Sequence, residues 1–431
     1  MRYIASPKAY QKANIEGLHK ALPEYRCAID ASDMGCGKTY IALFTMRALG
    51  LRPYIVAPKT ILTTWKRACE HVDISPAGII NYESLVRGGT NAAGYWETKA
   101  KKNWVWDLDY ATDSIIFDEG HRLKGDKSLA HKTLIGARMQ GIITLVLSAT
   151  LAEDPTQMKA LGFALGLFRR PTDWWNWALA NGCHRPRFGN KLLGIKFVEN
   201  KEEREWHLKK IHIDIGPRMV RLKKSEIPGF PSETTECVAL DTSNSKRIND
   251  IYVQELEALK LEAETPMTVQ LRTRQQIEYL KVDALIQFMK DLREEGLSLV
   301  VFVCFRQTLQ ELVNAFPDAS LIYGGQKDRD EQIDRFQANE SKICLATADS
   351  ANAGINLGDE HGGHPRAALI CPHFNAVTFI QCFGRIPRIN SQSKCLQYII
   401  TAAGTLEDKI RRKVEMKKEN ITLINDGDLS L

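Results

Sequence analysis

Short runs of β-branched and apolar residues recur along this chain, each followed by a longer amphipathic segment. In the first half the runs are residues 53–58, 114–119 and 143–150. In the second they are residues 297–305, 342–347, 367–371 and 396–400. A continuous apolar run of this length predicts a strand buried on both faces. Such strands alternating with helices predict a parallel sheet. Two α/β lobes follow, and 431 residues is a length that suits two or three domains. Over residues 155–280 the pattern becomes helical, charged and aromatic, with "IPGFP" (227–231) as a stiff linker. No internal repeat interrupts this order.

The apolar runs are far too short to span a bilayer, so no membrane partner is expected. The first ten residues, "MRYIASPKAY", are polar within a few positions, and no signal peptide is expected. Ten cysteines form no C-x-x-C pair and no Cys/His cluster at zinc spacing. Cys36, Cys304, Cys344 and Cys371 stand in apolar or glycine-rich surroundings, as small buried side chains in a reducing compartment. His361 and His364, in "HGGH", read as part of a glycine-rich loop rather than a metal site.

The net charge is +6, and it is uneven. Residues 185–224 hold 12 Lys/Arg against 5 Asp/Glu, a surplus larger than that of the whole chain. A basic face suits a polyanion. A solvated helical surface is the other reading, and charge alone does not choose between them.

The chemistry begins at "ASDMGCGKT". A strict phosphate loop reads G-x-x-x-x-G-K-[ST], and Ser32 here replaces its first glycine. Gly35 and Gly37 let backbone N–H groups turn toward phosphate oxygens. Lys38 would reach the β- and γ-phosphates, and Thr39 would ligate Mg²⁺. A helical segment follows, so its N-terminal dipole faces the anion. A glycine turn before any helix can look similar, so a second element is needed. "SIIFDEGH" supplies it, with Asp118 and Glu119 ending an apolar strand 80 residues after Lys38. Asp118 would hold Mg²⁺, and Glu119 would orient or deprotonate the attacking water. In "QCFGRIPR", Arg385 and Arg388 stand three apart, on one face of a helix if Pro387 permits. An arginine supplied across a cleft stabilises charge on a transferring phosphoryl group.

This set, in this order, resembles helicase superfamily two and specifically the Swi/Snf-type DNA translocases. "SPKAYQKANIEGL" is similar to the family's adenine-reading segment, with Gln11 as its glutamine. "YIVAPKTILTTWKRACE", "INYESL", "FDEGHRLKG", "LSAT", "MVRLKKSEIPGFPSET", "ADSANAGINL" and "GTLEDKIRRKVEMKK" resemble its later blocks. The resemblance implies two tandem RecA-like lobes, parallel sheets with helices on both faces, with a helical insertion between them. Lobe 1 would cover residues 1–155, the insertion and linker 156–280, and lobe 2 residues 281–431. It implies ATP and Mg²⁺ as cofactors, with Gln11, Met34, Gly35, Cys36, Gly37, Lys38, Thr39, Gly354 and Asn356 around the nucleotide. It implies catalytic roles for Asp118, Glu119, Arg385 and Arg388, with Arg388 as the finger. DNA, duplex or branched, would be held by phosphate contacts from Lys59, Thr60, Asn81, Tyr82, Arg306, Gln307, Ser350 and Asn352.

Departures stand out. Gly120 replaces the usual Ala or Ser, Pro387 replaces a histidine, and Ser148-Ala149-Thr150 is the version of true helicases. Ala351, Asn352 and Gly354 resemble the branch that reanneals forked DNA. No chromodomain, bromodomain or zinc module is expected on this minimal motor, of a kind the resemblance associates with bacteria and phages. Its compartment would be the prokaryotic host cytoplasm, and a separate nuclease or replication or repair protein would suit it as a partner. A strand-separating helicase and a catalytically silent DNA clamp are the alternative functions. The tryptophans stay open: Trp174 and Trp177 would share a buried helix face, or with Trp175, Arg185, Arg187 and Lys191 stack on unpaired bases. Trp96, Trp104 and Trp106 pose the same choice.

Overall fold

The structure, a computed structural model, describes residues 4–88, 93–97, 103–124, 128–188, 191–192, 194–261, 266–351, 355–373, 376–405 and 407–426. It divides into two units. The first holds the residues up to Ile227 and those from Lys417 onward, and the second is Pro228–Met416. The stretch 156–280 is thus shared, its part up to Ile227 lying with the first unit and the rest with the second.

The first unit carries β1 (Cys27–Asp30), β2 (Arg52–Ala57), β3 (Gly78–Asn81), β4 (Gly94–Trp96), β5 (Trp104–Trp106), β6 (Asp113–Asp118) and β7 (Thr144–Leu147). Four two-residue strands follow, β8 (Cys183–His184), β9 (Arg187–Phe188), β10 (Lys191–Leu192) and β11 (Lys196–Phe197), then β12 (Met219–Val220). The main sheet has the order β12-β1-β7-β6-β2-β3 with every pairing parallel. Every residue of β1, β6 and β7 is buried, as the apolar runs require. Ile29, Val56, Phe117 and Val146 share one core with Leu134 of the helix Leu129–Met139 and Ile211 of the helix Lys201–Ile215.

The antiparallel pair β4–β5 packs its tryptophans into that core. Trp96, Trp104 and Trp106 meet edge to face at 5.0 and 5.7 Å, and Trp106 continues to Tyr54 and Phe117. Trp104 and Trp106 are buried, so they serve packing and not base stacking. In the helix Trp174–Ala180 the expected shared face is only half realised. Trp177 packs on Phe168 and the core, whereas Trp174 is half-buried, with its ring under Lys159. Trp175 lies under the Arg185 guanidinium at 4.8 Å.

The second unit carries β13 (Glu233–Leu240), β14 (Ser298–Val303), β15 (Ser320–Ile322), β16 (Ile343–Thr347), β17 (Arg366–Ile370) and β18 (Cys395–Ala402). Their order is β13-β18-β17-β14-β16-β15, again all parallel. Alternate residues of β14 serve two cores. Leu299, Val301 and Val303 meet the helices Val282–Glu294 and Arg306–Ala315, while Val300 and Phe302 meet Phe336 and Phe379. Helices therefore cover both faces, and the chain holds two tandem RecA-like lobes.

The stretch expected to be helical is not wholly so. It contains β12 and β13, one edge strand for each sheet. β13 reads "ETTECVAL" and is largely exposed, so it lacks the apolar run that marks a central strand. Backbone pairing with β18 over eight residues makes it a strand instead. Between β13 and β14 the helices Ser245–Leu261 and Pro266–Leu280 form a small core through Ile248, Ile251, Tyr252 and Ile277. Among the described residues no helix is long and apolar enough to cross a membrane.

Candidate nucleotide site

The loop after β1 turns on two glycines in the left-handed region, Gly35 at φ 85° and Gly37 at φ 82°. A side chain at Gly37 would also meet Gln11 Nε2 at 2.7 Å, so the loop's closeness to Gln11 depends on glycine there. Gln11 is buried and its Oε1 accepts from the Lys8 N–H at 3.0 Å. The Lys38 ammonium donates to the carbonyls of Ser32 (2.7 Å) and Asp33 (3.0 Å). Thr39 stands in the first turn of the helix Lys38–Ala48. Met34 is half-buried, and burial pushes the Cys36 thiol up to about 12, out of reach of ionisation at neutral pH.

Ser32 shows why the first glycine can be absent. It is fully buried, and its hydroxyl accepts from Asn14 Nδ2 (2.9 Å) and the Leu222 N–H (3.1 Å). Its own N–H donates to Asp30 Oδ1 at 2.9 Å. The serine thus ties the loop to the helix Lys12–Tyr25 and to the segment that follows β12. Burial raises the Asp30 carboxyl, against the pull of the Lys38 charge.

Asp118 ends β6 with each oxygen engaged. Oδ2 accepts from the Trp65 indole N–H at 2.8 Å, and Oδ1 from the Glu119 N–H at 2.8 Å. Its carbonyl accepts from the Tyr82 hydroxyl at 2.6 Å. Burial, and then the charge of Glu119, pushes the Asp118 carboxyl up to about 6, with Trp65 and Lys38 opposing. Glu119 itself sits at φ 54°, ψ 55°, a left-handed conformation that costs a non-glycine residue energy. Its Oε2 lies 3.3 Å from His121 Nδ1. Gly120 is required by packing, because a Cβ there would stand 2.3 Å from Val146 Cγ1.

The second unit's candidates differ from the sequence expectation. The helix Ala376–Phe383 ends before both arginines, so Arg385 and Arg388 do not share a helix face. Gly384 and Pro387 stop the helix, the latter by removing a backbone donor. Arg385 is buried, and its carbonyl accepts from the Leu357 N–H at 2.8 Å. Arg388 donates through Nη2 to the Ile355 carbonyl at 3.1 Å. Asn356 Oδ1 accepts from the Gly358 N–H at 3.1 Å, and its amide meets Glu360. Asn352 and Gly354 lie outside the described residues.

The residues expected to grip DNA fall into two groups. Lys59, Thr60, Arg306 and Gln307 are exposed, all just past the carboxyl ends of β2 and β14. Tyr82 and Ser350 are buried with their hydroxyls spent internally, on Asp118 and on the carbonyls of Ile322 and Thr347. They are corrections to that expectation: both support the sheet rather than face a ligand. Asn81 caps a helix, accepting from the Ser84 N–H at 2.8 Å. The basic stretch 185–224 is likewise not one face. Arg204 is buried and Arg218 lies over the Tyr25 ring at 4.4 Å.

Sequence reasoning missed Trp65 as a donor to Asp118. It also missed Arg221, whose guanidinium lies 2.9 Å from Asp33 Oδ1 in the phosphate loop. Both sit in quoted blocks, but nothing in their spacing says which atom they reach.

The family model for the helicase conserved C-terminal domain matches residues 280–390. A protein of Acanthamoeba polyphaga mimivirus, named as an ATP-dependent RNA helicase, is 29% identical over 97% of this chain and 84% of its own length. The Arabidopsis thaliana CHD3-type chromatin-remodeling factor CHR7 is 21% identical over 96% of this chain. The chain is similar to Swi/Snf-type proteins of helicase superfamily two. It spans only 37% of the Arabidopsis relative's length. The Sulfolobus solfataricus SWI2/SNF2 ATPase core, solved with double-stranded DNA, is similar at TM-score 0.38 and 15% identity, with 99% of this chain and 94% of that one covered.

The helicase-family matches mark the chain as an ATP-hydrolysing, helicase-like enzyme, and the first unit's geometry suits that chemistry. Lys38 is a cation that could exchange its loop carbonyls for phosphate oxygens, and the two left-handed glycines would let N–H groups turn toward them. Thr39 and Asp118 are the hard oxygen donors that would hold Mg²⁺, which neutralises phosphate charge when bound. The lone pairs of Asp118 not used by Trp65 and Glu119 leave room for that role.

Proposed function

We propose that this enzyme hydrolyses ATP at Lys38, Thr39, Asp118 and Glu119 to move along double-stranded or branched DNA and remodel it. Lys38 and the loop N–H groups bind the β- and γ-phosphates, with Gln11, Met34, Gly35, Cys36, Gly37, Gly354 and Asn356 around the nucleotide. Glu119 positions water and takes its proton. Arg388, with Arg385 beside it, stabilises charge on the transferring phosphoryl group. Lys59, Thr60, Asn81, Arg306, Gln307 and Asn352 hold DNA phosphates. The observation that carries this reading is the alignment of 96% of the chain with a chromatin-remodeling factor. The Arg-Leu-Lys-Lys segment 221–224 supports it.

One other reading has specific support. The mimivirus relative is named an RNA helicase, and Ser148-Ala149-Thr150 is the helicase version of that segment. ATP turnover measured with duplex DNA, single-stranded DNA and RNA decides the track. Strong stimulation by duplex DNA together with displacement of a triplex third strand supports the translocase. Stimulation by RNA alone, with duplex unwinding, supports the helicase. Equal turnover with and without nucleic acid removes both.

A further inference from the structure

The chain leaves the first unit after Ile227 and returns to it at Lys417. Each of these two connections carries a side chain that meets the other directly behind the phosphate loop. Arg221, before the exit, is gripped by Asp426 at the end of the helix Glu407–Asp426. Nε reaches Oδ1 at 2.6 Å and Nη2 reaches Oδ2 at 3.0 Å, a two-point contact that fixes the guanidinium plane. The remaining amino group, Nη1, faces the loop. It donates to the Ala31 carbonyl at 2.5 Å and lies 2.9 Å from Asp33 Oδ1.

Asp33 is fixed from several sides. Its Oδ2 accepts from the Lys224 N–H at 3.0 Å, and its N–H donates to the Leu222 carbonyl at 2.9 Å. Its carbonyl is one of the two that receive the Lys38 ammonium. The atoms form one line, from Asp426 through Arg221 and Asp33 to Lys38. The same helical turn has a second hold, since Asn425 Nδ2 donates to the Ala149 carbonyl at 2.9 Å. Leu423 and Ile424 belong to the first unit's core, so that turn is seated, not frayed.

We propose that Asp426 and Arg221 are positioning residues for the phosphate loop, and that through them both connections between the units set the loop's grip on ATP. A guanidinium between two carboxylates has a narrow set of low-energy placements, and Arg221 is only 18% exposed at its side chain. Without Asp426 it loses the two bonds that hold its plane, and Asp33 loses a fixed wall. Any shift of segment 221–224, or of the last helical turn, is delivered to Asp33. Lys38 then meets a loop carbonyl that has moved, and its readiness to transfer to a phosphate changes.

The proposal rests on the reading of the Lys38 loop as the ATP site, and the experiment separates the two. Full-length Asp426→Asn, Asp426→Glu, Arg221→Gln and Lys38→Ala are compared with the parent for binding of a methylanthraniloyl-labelled ATP. KM and kcat for ATP with duplex DNA and the melting temperature are measured beside it. Asp426→Asn is expected to raise both the Kd and KM by about tenfold, the scale of one lost bond to a charged group. The kcat at saturating ATP should stay within about twofold, because Asp426 stabilises binding and touches no reacting atom. Asp426→Glu should recover most of the loss. The Asn–Gln double variant should be no worse than the poorer single one. A lowered melting temperature with unchanged Kd and KM in Asp426→Asn overturns the proposal, leaving the pair as fold stabilisation alone. If Lys38→Ala binds the labelled ATP as the parent does, the ATP-site reading fails first and the relay falls with it.

Discussion

The indole N–H of Trp65 reaches Oδ2 of Asp118 at 2.8 Å inside the first unit. Trp65 is buried in the helix Leu62–Val72, which follows the turn after β2. With Oδ1 tied to the Glu119 N–H, the carboxylate has one orientation. Trp65→Phe keeps an aromatic ring and removes only the donor side of the indole. A lost bond to a charged group costs about 1.5–3 kcal/mol. The expected result is an Mg²⁺ half-saturation for ATP turnover raised about tenfold or more, with fold retained. An unchanged Mg²⁺ titration would mean that Trp65 serves packing alone.

Glu119→Gln should abolish hydrolysis and leave ATP binding near normal, since the amide keeps shape but takes no proton. Lys38→Ala should weaken both. The glutamine should also stabilise the nucleotide-free protein at neutral pH. Asp118 sits at about 6, above its ordinary value, so its contribution is present at low pH and lost as pH rises through that window. The Glu119 charge is the second cause of that shift. Removing it lowers the Asp118 value, and each unit recovered is worth about 1.4 kcal/mol at pH 7. Melting scans without nucleotide at pH 5 and pH 7 check this. Glu119→Gln should gain about 2–4 °C per kcal/mol at pH 7 and less at pH 5. Hydrolysis at the parent rate would refute the water-activating role.

Gly120 stands where the family usually carries Ala or Ser. A methyl group there meets the Val146 Cγ1 of β7 at 2.3 Å, at the edge of the first unit's core. Gly120→Ala should therefore cost about 1–3 kcal/mol by overpacking. Val146→Ala should relieve it, so the double variant should be more stable than the sum of the singles predicts. Chemical denaturation of all three measures the coupling. Additive losses would show that the strain lies elsewhere.

The fold and the nucleotide site were legible to different depths. The central strands announced themselves, because strands buried on both faces must be apolar throughout, as residues 297–305 are. β13 did not, since an edge strand needs only backbone pairing and its "ETTEC" looks like a loop. Lys38, Asp118 and Glu119 stood out because a glycine loop before a lysine and paired carboxylates closing an apolar run are patterns the sequence itself displays. Tyr82 and Ser350 sat at equally favourable ends, but a hydroxyl serves a neighbouring carbonyl as readily as a ligand. Arg221 and Asp426 are 205 residues apart in sequence, and no periodicity reports a contact of that range.

The last expectation concerns the two arginines after the helix Ala376–Phe383. Arg385 is buried, with its backbone bonded to Leu357. Arg388 is half-buried, and its guanidinium lies against the Ile355 carbonyl, just past the segment that contains Gly354. A buried arginine serves its own lobe, while a half-buried one at the lobe's surface can reach a phosphate. Arg388→Ala should thus reduce nucleic-acid-stimulated turnover by about 10³–10⁵, the range for a finger. Its melting temperature and nucleic-acid affinity should stay close to the parent's. Arg385→Ala should lower the melting temperature clearly, because its removal leaves a cavity and an altered charge in the interior. Its turnover per folded molecule should fall less. Paired melting and single-turnover assays on both variants separate these outcomes. A stable but inactive Arg385→Ala beside an active Arg388→Ala would exchange the roles. Activity in both would leave the first unit to stabilise the phosphoryl charge with Lys38 alone.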